Sequence, residues 1–76
     1  MLITINGITR KPPTVEDCFQ VRKALHSFAY SNSTPAAERE DAERYARLKL
    51  HHWTITTFVR ASELLASLRE KNSAPA

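Results

Sequence analysis

Residues 45–68 read YARLKLHHWTITTFVRASELLASL, and how this stretch folds decides the architecture. No glycine or proline interrupts the chain between Pro35 and Ser73. A single helix across that span would be ~55 Å long at 1.5 Å per residue, which is long for so short a chain. The weak point is Thr54-Ile55-Thr56-Thr57, where consecutive β-branched side chains lose rotamer freedom against the preceding turn. The expectation is a helix over about 35–71, long or kinked, with the kink or break near Thr54. The alternative folds His52–Val59 as a third strand beside an N-terminal hairpin, since Trp, Ile, Thr and Val favour strands.

Projected at about 100° per residue, Ala46, Leu50, Trp53, Thr57, Ala61, Leu64, Leu65 and Leu68 share one broad face. A second set lies opposite: Tyr45, Leu48, His52, Ile55, Val59 and Ala66, at a spacing that resembles the a/d seam of a coiled coil. A helix apolar on two sides must be buried on two sides. Either the helix breaks and each half turns its own face inward, or the second face meets another chain.

The preceding segments are easier to read. LITINGITR, residues 2–10, sets Asn6-Gly7 between β-branched runs, the signal for a two-residue hairpin with a type I′ turn. That register places Ile5 opposite Ile8, Thr4 opposite Thr9 and Ile3 opposite Arg10. Pro12-Pro13 ends the strand. Thr14-Val-Glu-Asp17 has the form of a capping box and opens a helix over about 15–30. Its core-facing arc holds Cys18, Val21, Leu25, Phe28 and Ala29, with Val15 and Phe19 extending it. Thr34-Pro35 restarts a helix, threonine as N-cap and proline in the first turn. Glu38, Glu40, Asp41 and Glu43 then suit the positive end of the helix dipole, and Glu40–Arg44 and Glu43–Arg47 are spaced as ion pairs. The fold class expected is mainly α: a short N-terminal β-hairpin followed by a helical hairpin. It forms one small domain over residues 1–71, with 72–76 as a flexible tail.

Composition bounds the function. Seventy-six residues make one thin core, the kind that often gains stability from a second copy or a partner. One cysteine excludes an intrachain disulfide and suits a reducing compartment. No apolar run approaches the ~20 residues of a membrane span, and Met1–Ile8 does not read as a signal peptide, so a cytoplasmic protein without membrane contact is expected. Eleven basic and eight acidic residues give a mild +3.

No residue pattern points to catalysis. Cys18 falls on the buried face of its helix, and with one glycine in the chain no glycine-rich turn supplies an oxyanion hole. His51 and His52 diverge on a helix, and none of the Cys/His spacings fits zinc. No enzyme, metal or cofactor is expected. Arg22 and His26 sit within the apolar arc of the first helix, where Arg22 lies at the rim, pairs with a carboxylate of the second helix such as Glu43, or anchors a partner. Arg44, Arg47, Lys49 and Arg60, interleaved with Tyr45, His51, His52, Trp53 and Phe58, have the composition of a nucleic-acid surface. As helical positions they scatter around the axis, and the acids at 38–43 oppose phosphate. The leading expectation is therefore a small intracellular interaction protein. It binds a protein target, or itself as a homodimer, through Tyr45, Leu48, His52, Ile55, Val59 and Arg22, and so regulates or inhibits that target. A nucleic-acid-binding regulator using Arg44, Arg47, Lys49 and Arg60 is the alternative.

Overall fold

The computed structural model describes residues 2–73, with side chains described through Lys71. Strands β1 (Ile3–Ile5) and β2 (Ile8–Arg10) are followed by helices α1 (Val15–Ala29), α2 (Ala36–Arg47) and α3 (Ile55–Ser73), and a short 3₁₀ turn, Leu50–His52, lies between α2 and α3. The protein is mainly helical with a two-stranded antiparallel hairpin at its N-terminus.

The hairpin follows its turn. Asn6 and Gly7 both adopt positive φ, 53° and 80°, as a type I′ turn requires. That turn fixes the register Ile3↔Arg10, Thr4↔Thr9 and Ile5↔Ile8. The two threonine hydroxyls hydrogen-bond across the strands at 3.3 Å. Two strands alone are barely stable in water, and β1 lies on α3, burying Ile5 against Cys18 and Phe58. Arg10 caps this cluster. Its guanidinium stands 5.4 Å from the Phe58 ring centroid and bridges to Asp17 at 3.3 Å.

Asp17 also completes the capping box of α1. It accepts from the Thr14 backbone N–H at 2.9 Å, while the Thr14 hydroxyl accepts from the Asp17 N–H at 3.2 Å. The hairpin and the first helix are thus tied at one carboxylate. The start of α2 differs from expectation by one residue. Pro35 is the N-cap and Arg39 N–H donates to its carbonyl at 2.8 Å, while Thr34 is turned inward and buried. The helix thus starts one residue later than a threonine cap would set it, after a Ser31–Ser33 bend held by a 2.8 Å hydroxyl–hydroxyl contact.

The second half of the molecule is neither one continuous helix nor a third strand. α2 ends at Arg47, Leu48 and Lys49 are extended, and α3 begins only after Trp53 and Thr54. Two contacts hold this break. Trp53 Nε1–H donates to the Leu48 carbonyl at 3.2 Å, satisfying an acceptor that the helix end leaves open. The Thr54 hydroxyl accepts from the Thr57 N–H at 3.1 Å, so the β-branched cluster supplies the cap of α3 and not merely a weak point.

Helices α1 and α2 pack most extensively, through fully buried Ala42 against Leu25 and Ala29, and α3 closes the core with Ala61, Leu65 and Leu68. Small alanines at these contacts let the helix axes approach. The core has two lobes, this one and the Ile5–Cys18–Phe58 cluster, and Val21 and Trp53 pack against both. A bond from Lys71 to Glu38 ties the end of α3 to the start of α2. Of the tail expected over 72–76, residues 74–76 lie outside the described residues.

Candidate functional site

The break changes the setting of the proposed seam. Tyr45 lies in the last turn of α2, Leu48 is the extended residue after it, His52 sits in the 3₁₀ turn, and Ile55 and Val59 begin α3. They do not share a helix. Tyr45 leans on the helical core with its ring 6.2 Å from Trp53, and Val59 packs on the Ile5–Cys18–Phe58 cluster. His52 and Ile55 remain exposed. Much of this apolar surface is therefore engaged within the molecule.

Large apolar side chains left outside are Leu2 and Ile8 at the hairpin, Ile55 on α3, and a group of three on α1. Val15 is 71% exposed, Phe19 42% and Tyr30 63%. With Arg22 and His26 these positions run in steps of three and four residues, so they form one stripe along the helix. The His26 and Tyr30 rings stack obliquely at 4.7 Å. Their helical phase would put Val15 and Phe19 at the edge of the core, but the hairpin covers Cys18 and leaves both exposed. The legible signal was the presence of Arg22 and His26 inside the same arc, since charge there marks a face that stays near solvent. Arg22 is half-buried and, among the described residues, has no ion-pair partner. Glu43, its expected partner, is taken by Arg47 at 2.5 Å, and Glu40 and Arg44 do not close to ion-pair distance.

Beside this stripe, a shallow groove of about 360 Å³ runs between α1 and α3. Its floor is Val21, Ala24 and Leu65, and its rim is Gln20, Lys23, Ser27 and Arg69. Phe19 and Lys23 are one turn apart, so stripe and groove form a continuous surface. No helix among the described residues is long and apolar enough to cross a membrane.

The residues of the nucleic-acid alternative are dispersed. Arg44 and Arg47 share a concavity on α2 with Glu40 and Glu43, Lys49 lies in the connection, and Arg60 is on α3. Phe58, counted among the aromatics of that surface, is 1% exposed and belongs to the core. The break moves it there by giving α3 its own rotation, free of the phase of α2. Trp53, likewise counted, is half-buried over both lobes.

Cys18 is 8% exposed, and burial first, then the Asp17 charge, push its thiol pKa up. A thiol held in that form is a poor nucleophile. His51 and His52 do not diverge as on an α-helix: the 3₁₀ turn brings their rings to 4.2 Å, edge to face. Among the described residues, no group of three or more His, Cys, Asp or Glu is placed to hold a metal ion.

Compared with protein-family models, with curated proteins and with solved structures, the chain shows no significant match to any of them.

Proposed function

We propose that this chain is a small interaction protein that docks on a protein target, or on a second copy of itself, through the outward face of α1. It acts by occupying a surface and so regulates or inhibits what it binds. The observation that supports this is the exposed stripe of Val15, Phe19 and Tyr30, with Arg22 and His26 between them. Exposed aromatic rings beside arginine are the composition of interface anchors, and an apolar stripe left open on so small a molecule favours association. Ile55, at the start of α3, and His52, in the 3₁₀ turn before it, are also exposed.

The test is a photo-crosslinking amino acid placed at Phe19, with the same group at exposed Glu63 on α3 as the control. Illumination in extract of the native host is expected to give a discrete protein adduct, or a dimer of this chain, from position 19 and none from position 63. A pattern that is the same at both positions, or absent at position 19, overturns the reading.

A further inference from the structure

We infer that the groove between α1 and α3 receives an acidic amphipathic helix of the protein partner. This rests on the protein-binding reading above and names the chemistry of what is bound.

Three features of the groove select that occupant. The first is its floor. Val21 and Ala24 are half-buried beside Leu65, so an apolar strip reaches the surface between two helices. The positions lining it on α1, from Gln20 to Ser27, cover two turns, or about 10 Å at 1.5 Å per residue. That matches the apolar anchors a helix presents at i, i+3, i+4 and i+7. The second feature is openness. A small molecule gains affinity by burying most of its surface, and a shallow groove between two helices cannot enclose one. A helix laid along the groove needs only one face covered. The third is charge. Lys23 stands exposed on the rim, and no carboxylate lines the groove among the described residues. Asp17, the nearest acid along α1 on this side, lies one turn before Val21 and is already bound by Arg10. The chain as a whole carries +3, which draws an acidic partner toward it and opposes a second copy. A partner helix with carboxylates flanking a leucine stripe meets both requirements, and its far edge reaches Phe19 across Lys23.

The test is fluorescence anisotropy with two labelled peptides. One is a leucine–glutamate peptide patterned as an amphipathic helix; the other has every glutamate replaced by glutamine. The acidic peptide is expected to bind, and the glutamine peptide to bind at least about tenfold more weakly, because close charge pairs across an interface contribute that much. Lys23→Glu, an exposed substitution, is expected to weaken the acidic peptide by a similar factor with unchanged far-UV circular dichroism. Ala24→Arg fills the floor and is expected to block both peptides. Equal binding of the two peptides, no binding of either, or indifference to Lys23→Glu overturns the inference. So does displacement of the acidic peptide by an oligothymidylate, which assigns the rim to phosphate. If the groove fails these tests while the adduct at position 19 persists, protein binding stands and the acidic helix falls.

Discussion

At Gly7 a single backbone angle carries the hairpin. A Cβ built there meets nothing within 4 Å, so space is no obstacle to a side chain, but φ is +80°. Gly7→Val is therefore expected to destabilise the hairpin through conformation alone, by about 1–3 kcal/mol for a non-glycine residue held in the left-handed region. Loss of amide-exchange protection at Ile5 and Ile8, with α1–α2 amides still protected, is the expected readout. Cys18 poses the opposite case, since its surroundings matter more than its conformation. Its thiol pKa lies above the ordinary 9.0, chiefly through burial. The protonated thiol is thus favoured in the folded state. Its contribution is fully present below pH 9.0 and is lost as pH rises through the elevated folded value. Titration with a thiol reagent near neutral pH is expected to be slow on the native protein and fast in urea. Cys18→Ala is expected to cost about 1 kcal/mol while leaving the outward face of α1 intact. A fast native reaction would show that the cluster with Ile5 and Phe58 opens readily.

Among the elements, the two shortest are the ones a reader of the sequence can place best. Asn6-Gly7 and the Thr14/Asp17 box act within four residues, so their chemistry is complete in the local text. The start of α2 is not, because Thr34 could cap the helix only if the preceding bend released it, and that bend buries it instead. The break at 48–54 is half legible. β-branched Thr54–Thr57 marks the place, but the staple comes from Trp53 reaching back five residues to a carbonyl. Nothing in the composition of Trp53 distinguishes that role from an exposed aromatic. The same gap explains why Phe58 read as surface, and why the outward stripe of α1 read as core edge. The first depends on the rotation that the break gives α3, the second on how far the hairpin reaches over α1, and neither is a pattern in the residues. Thr54→Ala is expected to cost about 1 kcal/mol, the usual loss on removing a threonine cap, measured by urea unfolding. Trp53→Phe retains most of the packing and loses the bond to Leu48, and is expected to cost a similar amount.

For the molecule as a whole, the core is thin and flattened. Its extents are 39 × 26 × 18 Å and its radius of gyration is 12.4 Å, against about 11 Å for a typical compact domain of this length. Few large side chains are fully buried; Phe58 and Leu25 are the largest among the described residues. Phe58→Ala is therefore expected to be among the most damaging single changes, by about 3–5 kcal/mol, enough to unfold a marginal domain. Ile55→Glu, at a position 38% exposed, is expected to leave far-UV circular dichroism unchanged. Comparable unfolding of both variants would mean that the start of α3 is more deeply engaged than its exposure indicates.

Trp53 packs against both lobes and is the one tryptophan in the chain, which makes it an internal gauge of how the halves melt. Its emission reads the hairpin cluster and the helical cluster at once. If the lobes open together, fluorescence and far-UV ellipticity trace a single coincident curve in denaturant. If the hairpin lobe peels away first, the indole reddens while ellipticity holds, since two three-residue strands contribute little helical signal. The surface of α1 that a partner would grip spans both lobes. A bound partner would then draw two separated transitions into one, and the spacing between the curves would measure how much of the grip is felt at each end.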